Sequence, residues 1–222
     1  MKDNSWKLGD TVNSPVDEML SLDPSSMDVT SVYKCMTGSI VPRPIAFVTT
    51  LNENGSINAA PFSYFNAVAS APPTIIISIT FKSNGEKKDS LRNIERTDEF
   101  VVNTVGEWML GPVNHCAAEY PYGVSEVEKV GLTTVASEIV SPPRIVESPV
   151  HFECKRQQQV QVGDGSQGSA VVVFGEIVRF HVFKKAFSQG RLDAQQLKPV
   201  GRLAGGQYSG LGPLCILNRP VI

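Results

Sequence analysis

Pro61 stands inside a stretch that otherwise reads as a β-hairpin, and a proline there restricts the fold more than any other residue in the chain. Residues 45–65, IAFVTTLNENGSINAAPFSYF, open as an apolar strand and turn at Asn54-Gly55. They return with Asn58, Pro61 and Ser63 where a plain strand would alternate apolar and polar residues. Proline has no N–H for a ladder, so it is confined to an edge or to a place where the sheet opens. Ala59 and Ala60 leave room beside the backbone. Free N–H and C=O groups next to small side chains suit a flat, polar-edged heterocycle. The alternative is a strand end with a bulge. Thr49, Thr50, Asn58 and Ser63 add donors and acceptors on the same hairpin. Lys87-Lys88 precede Ser90 at a predicted helix start, where free N–H groups and the helix dipole favour an anion such as phosphate; a solvated lysine pair is the competing reading. The two features outline a slot for a ring and a cradle for a phosphate.

The rest of the chain reads mainly as short strands. Residues 45–51, 74–81 (TIIISITF) and 99–105 (EFVVNTV) are β-branched and apolar, as buried strands are. Asp28 is placed to cap a short helix, and residues 89–96 form another with Asp89 or Ser90 as N-cap. Residues 107–119 read as helical, kinked or split at Gly111-Pro112. Further on, Val150, Phe152 and Cys154 alternate with His151, Glu153 and Lys155, and Val178, Phe180 and Val182 alternate with Arg179 and His181. Residues 163–168, GDGSQG, read as the loop between these two strands. Many strands, few helices and frequent turns predict a closed or nearly closed antiparallel barrel. Residues 1–27 are polar and predicted to drape over the body or over a partner subunit.

Composition removes several function classes. The chain has 222 residues, enough for one long domain with a substantial core, and its net charge of −2 gives no electrostatic case for nucleic acid. No run reaches the roughly 18 apolar residues of a membrane span, and the start lacks the apolar region of a secretory signal. Cys35, Cys116, Cys154 and Cys215 are scattered without a CxxC, which predicts free thiols, no metal site and a cytoplasmic protein. No GxGxxG follows a strand, so no separate dinucleotide-binding domain is expected. His151 and His181 fall on strand faces opposite the apolar ones and are expected to be solvated or at an interface. His115 reads either as a structural histidine or as a contact to substrate.

The ordered segments PRPIAFVTT, NG, INAAPFSYF, APPTIIIS and KKDSLRNIERTDEFVVN, over residues 38–105, resemble the flavin reductase-like family of FMN-binding split barrels. That group includes flavoredoxin and the reductase partners of two-component flavin monooxygenases. The likeness continues through YPYGVSE (120–126) and VGRLAGGQY (200–208). It implies a mainly β fold, a six-stranded antiparallel Greek-key split barrel with a few peripheral helices, spanning residues 31–222 after an N-terminal extension of residues 1–30. It also implies a homodimer with flavin in a groove at the subunit interface.

Carried over residue by residue, the resemblance implies that Thr49 and Thr50 end the first strand next to the flavin. Asn58, Ala59, Ala60, Pro61 and Ser63 would meet the ring and ribityl chain. Lys88, Ser90 and Asn93 would lie near the phosphate, with Lys87 one register away from Lys88. Arg43 reads either as a second phosphate neighbour or as a surface arginine on a rigid turn. A flavin carries the redox chemistry itself, so no catalytic triad is expected. FMN is expected over FAD, because the phosphate cradle ends the site and no adenosine pocket is evident. NAD(P)H would bind transiently over the flavin. The expected activity is NAD(P)H-dependent flavin oxidoreduction that supplies electrons or reduced flavin to a monooxygenase or other redox partner. A flavoredoxin-like protein that keeps its FMN, or a flavin binder without turnover, is the alternative.

Overall fold

The computed structural model describes residues 7–220. Its main elements, in chain order, are α1 (Val29–Ser39), β1 (Ala46–Leu51), β2 (Ile57–Phe62), β3 (Phe65–Ser70), β4 (Pro73–Thr80), α2 (Asp89–Thr97), β5 (Glu99–Thr104), α3 (Leu110–His115), α4 (Glu126–Val130), β6 (Val150–Val162) and β7 (Ala170–Val182). The strands form one antiparallel sheet in the order β2-β1-β5-β6-β7-β4-β3. Only Ser63 and Tyr64 separate β2 from β3. They are two halves of one bent strand, the first paired to β1 and the second to β4. The Tyr64 carbonyl accepts the N–H of Ser78 at 2.8 Å and carries the pairing round the corner. Counted this way, six strands close on themselves, and the β4-to-β5 connection crosses the barrel end through α2. The expected six-stranded Greek-key barrel is present.

Alternation along β1 shows how the core divides. Ala46 and Val48 point inward with Ile75, Ile77 and Ile79 of β4, and Leu91 and Ile94 of α2 cover that cluster. Ile45 and Phe47 point outward, yet they are also buried, beneath Met109, Val113 and Val127 of the α3 and α4 layer. A strand covered on both faces reads as a continuous apolar run rather than an alternating one, as residues 45–51 do. Gly175 lies on β7 where an added Cβ would run into the buried Phe100 ring, so any larger residue there would force that ring to shift.

Five expectations are corrected. The N-cap of α2 is Lys88, one residue before the predicted Asp89 or Ser90. The 107–119 segment divides into a 3₁₀ turn, Glu107–Met109, and the short α3, with Pro112 in the first turn, where its missing N–H costs little. A register shift between Ile177 and Arg179 turns Phe180 outward, where it is 53% exposed. His151 is buried, because residues 138–145 fold over β6. Residues 7–26 are exposed along their length and do not drape over the body of their own chain; residues 1–6 lie outside the described residues.

Glu153 pins that covering segment. Its buried carboxylate accepts the N–H groups of Glu138, Ile139 and Val140 and faces His181 Nε2 at 2.6 Å. Burial raises its pKa, but these donors outweigh burial and the net shift is downward. His151 is pushed down to about 4, by burial first and then by Arg144 and His181, against Glu153. An unfolded histidine titrates near ~6.5. Between about pH 6.5 and 4 the unfolded chain therefore binds a proton that the folded chain refuses, and stability falls as pH is lowered through that window. The contribution of Glu153 is present above the unfolded carboxylate value, about 4.3, and is lost as pH falls through its lower folded value. Urea unfolding of the parent should show a midpoint that declines from pH 7 to 4.5, and His151→Leu should flatten that limb. An unchanged slope in the variant would remove His151 as its cause.

Candidate functional site

The bent strand leaves part of its backbone unpaired. Ala59 donates its N–H off the sheet to the Glu126 carboxylate at 2.9 Å, not to β1. Backbone groups alternate along a strand, so Pro61 presents the same outer side, and its missing N–H costs the β1–β2 ladder nothing. Two clefts flank this edge and share Pro61, Phe62 and Ala117 as walls, which makes them lobes of one groove. Their volumes are about 140 and 190 Å³. Each is smaller than the roughly 300 Å³ at which a site encloses a drug-sized ligand, so the groove is open to whatever packs over it.

The first lobe is built by β2 and the start of α2. Asn58, Ala60, Pro61, Lys88 and Ser90 line it. Beneath it lies a buried polar network. Asn58 Nδ2 donates to Thr50 Oγ1 (3.0 Å) and Ser90 Oγ (2.9 Å), and Asn93 Nδ2 donates to Thr50 Oγ1 (3.0 Å) and Asn52 Oδ1 (2.8 Å). The network ties two strands to the helix and holds the helix start in place.

The lysines separate cleanly. Lys87 is engaged by Glu95 at 2.7 Å, and Lys82 by Asp89 at 3.1 Å. Lys88 has no ion-pair partner among the described residues; its ammonium lies 5.9 Å from the centre of the Phe62 ring. Burial draws its pKa below the ordinary lysine value, Glu119 opposes this, and Lys82 adds to it. The N-terminus of α2 has no side-chain cap. A half-buried cation without a counter-charge, beside uncapped helix N–H groups, is suited to receive an anion.

The second lobe holds Arg43, Ser63, Tyr33, Arg202 and Tyr208. Arg43 is buried, not on the surface, and donates to the carbonyls of Thr37 (2.6 Å), Ile40 (2.8 Å) and Leu203 (2.9 Å) and to Ser63 Oγ (3.3 Å). Four of its five donors are thus spent joining α1, the strand corner and the 203 loop. The Arg202 guanidinium stacks 4.4 Å from the Tyr208 ring.

Of the residues singled out from sequence, the structure brings Asn58, Ala60, Pro61, Lys88 and Ser90 to one lobe and Arg43, Pro61 and Ser63 to the other. Thr50 and Asn93 stand behind the wall in the polar network. Ala59 faces the outer core. Thr49 lines neither lobe; its hydroxyl donates to the Pro143 carbonyl at 2.6 Å. His115 is exposed and lines neither lobe. Sequence reasoning missed Phe62, Glu126 and residues 116–120, and the aromatic pair Tyr33 and Tyr208. YPYGVSE and VGRLAGGQY were the available signals, since both end at these walls. Glu126 is raised by burial against the Ala59 N–H, and Cys116 is pushed up to about 12 by burial and then by Glu126, so the thiol stays protonated at neutral pH. The groove therefore offers recognition groups and no activated nucleophile.

A family model described as "Flavin reductase like domain" matches residues 37–199. An uncharacterized protein of Halalkalibacterium halodurans is 40% identical over 204 residues, covering 91% of this chain and 98% of the relative. Among solved structures, nitrilotriacetate monooxygenase component B from Bacillus cereus is similar with a TM-score of 0.87 and 40% identity, covering 91% of this chain and 100% of the other. The Pseudomonas fluorescens 2-nitrobenzoate 2-nitroreductase NbaA follows with a TM-score of 0.81 and 32% identity, covering 90% and 96%.

The buried network also sets a stability expectation. Thr50→Val removes the hydroxyl that both Asn58 and Asn93 address, stranding buried amide donors at about 1–3 kcal/mol. Chemical denaturation should register that loss. A variant as stable as the parent would show that the network is dispensable.

Proposed function

We propose, from the premise that this chain belongs to the flavin reductase-like domain family, that it binds FMN along the Pro61–Phe62 groove and works as an NAD(P)H-dependent flavin oxidoreductase. The observation that carries this reading is Lys88, a half-buried ammonium with no counter-charge among the described residues, at the uncapped start of α2. On this reading Lys88 and the α2 N–H groups hold the phosphate, with Ser90 beside them. Asn58 and the 60–63 edge meet the ribityl chain and ring, and Lys87 is excluded by its bond to Glu95. FMN fits better than FAD because the groove ends at this cradle. The bound flavin would supply hydride acceptance from a nicotinamide, and the open groove leaves a side of the ring accessible to it. The chain's own residues bind, orient and exclude water.

Electrons then pass to a partner. Component B of a monooxygenase at 40% identity supports a monooxygenase or another redox partner as the recipient. Retention of FMN, as in a flavoredoxin-like carrier, is distinguished by whether reduced flavin leaves the protein. The NbaA likeness favours a second reading, reduction of a nitroaromatic acid held over the groove. Free thiols at all four cysteines are consistent with a cytoplasmic setting. We assign residues 31–222 to the flavin domain and residues 1–30 to an extension.

The shallow lobes need a cover, and α1 suggests its source. Val29, Tyr33, Met36 and Ile40 fall on one helical face and are all exposed, as is Val41 directly after them. Tyr33 and Thr37 of the same helix wall the second lobe. A symmetric two-fold dimer, the commonest oligomer, packed through this face would close the groove. Light scattering over a dilution series should report twice the chain mass, and a stable monomer that binds FMN tightly would contradict this placement.

Flavin released by heat from protein purified without additions should have the mass of FMN; FAD alone would refute the assignment. Lys88→Ala should weaken FMN by about 1–3 kcal/mol, the usual loss for a hydrogen bond to a charged group, while Lys87→Ala leaves affinity unchanged. Ala60→Leu should crowd the ring site and abolish binding without lowering apo-protein stability. Anaerobic mixing of FMN-loaded protein with NADH and with NADPH should bleach the flavin with at least one of them.

A further inference from the structure

The outer half of β6 is an open sheet edge. β5 pairs with β6 only as far as Lys155, and Arg156 gives its N–H to the Asp98 carbonyl at 2.8 Å. Beyond that point residues 157–162 pair with β7 on one side and, among the described residues, with no strand on the other. All of them are exposed except Gln159, which donates to Glu95 of α2 at 2.9 Å. Directly opposed strand residues share a face. Gln159 and Gln161 therefore lie on the core side with Val173 and Val171, and Val160 and Val162 lie on the outer side with Val172 and Ala170. The two outer valines are 50% and 57% exposed. An open edge is a template for another strand, and proteins blunt such edges with lysine, proline or a covering element. The run QQQVQV has neither lysine nor proline.

The same chain carries a segment that lacks cover. Residues 7–22 contain no helix or strand, and Leu8, Val12, Val16, Met19, Leu20 and Leu22 are all exposed, Leu20 by 82%. Proline cannot donate to a ladder, and the stretch between Pro15 and Pro24, VDEMLSLD, is free of it. Leu20 and Leu22 are two residues apart and share a face of an extended chain, as Val160 and Val162 do on the edge, so the two pairs can meet across a ladder. Asp17 and Glu18 carry charge opposite to Lys155 and Arg156 at the foot of the edge, and residues 157–162 hold no anion to repel them. The root of the arm lies at the tip of the same hairpin, since a Cβ added at Gly168 would meet Cγ1 of Val29 at 2.8 Å. Capped turns fix its exit: Asp23 accepts the Ser25 N–H at 2.9 Å, and Asp28 accepts the Ser31 N–H at 3.0 Å. Upstream of these turns the arm stays exposed and leaves its own edge bare. Extended, residues 7–22 span about 50 Å, enough to reach a neighbouring molecule. The edge of a second copy is the matching acceptor, and exchange about a two-fold axis is reciprocal and closed.

We propose that residues 16–22 of one copy add as a strand to residues 157–162 of β6 in a second copy, so that two chains exchange arms by β-augmentation. The test is amide hydrogen exchange, read at residues 157–162, in the full chain and in a chain lacking residues 1–22. Alternate amides of this stretch should exchange about tenfold more slowly in the full chain. That protection should vanish in the truncated chain. It should also vanish in a Leu20→Asp, Leu22→Asp double variant, whose exposed positions lie outside the barrel core. A synthetic peptide of residues 7–26 added to the truncated chain should restore it saturably. The proposal is overturned if residues 157–162 exchange equally in full and truncated chains. Equally fast exchange would mean that the arm does not dock, and equally slow exchange that two edges pair directly. It is also overturned if protection persists at a dilution where light scattering reports a monomer, because the arm then lies on its own edge. The readout is local to β6, so it stands or falls apart from flavin binding and from the α1 contact.

Discussion

Barrel closure through a bent strand is the constraint on which the rest depends. The strand that begins at Ile57 pairs with β1, turns at Ser63-Tyr64 and then pairs with β4, so one segment supplies both ends of the ring. A strand cannot hydrogen-bond to two neighbours through a sharp corner without leaving backbone groups idle near the bend. Near that bend the outward side of residues 59 and 61 lies off the β1 ladder, and Pro61 stands between the two lobes of the groove. Pro61 fits because its missing N–H falls on the outward side, where Ala59 donates to Glu126 instead of to a strand. The proline that breaks the hairpin pattern is thus a consequence of closing the barrel, and the groove follows from the same geometry.

Electrostatics then differentiates the two ends of the groove. Several charged groups near the first lobe are neutralised within the chain, Lys82 with Asp89 and Lys87 with Glu95. Lys88 is the exception, and burial makes its charge costly unless an anion arrives. At the other end Arg43 is consumed by backbone carbonyls and serves as a staple between α1 and the strand corner. Two basic residues that look equivalent in sequence therefore have different roles, one open to a ligand and one closed by the fold. The Thr50–Asn58–Ser90–Asn93 network holds the first end rigid, since each buried amide has its partner within the protein.

Much of the site was legible in the sequence because its parts are local. Asn58, Ala60 and Pro61 lie on one strand, and Lys88 and Ser90 on one helix turn, so their residue types and spacing carry their placement. Asn93 follows Ser90 by three residues and shares its helical face, which is why it joins the network behind the wall. Thr49 stands apart from both lobes for a similarly local reason. It neighbours Thr50, but adjacent strand residues face opposite sides, and its hydroxyl turns to the Pro143 carbonyl.

By itself, the sequence determined the β-rich class, the edge position of Pro61, the helix that begins beside Lys88 and the free state of the cysteines, because each follows from a short run of residues and its backbone chemistry. Only the tertiary structure decided which lysine is unpaired, since Glu95 reaches Lys87 across two turns of packed helix. It also decided that Arg43 is spent on carbonyls up to 160 residues away. The same holds for His151, which alternation places on the polar face of β6. Residues 138–145 fold across that face, and Glu153 holds them there by their N–H groups. Burial of a strand's second face is a long-range event, and no period within the strand encodes it.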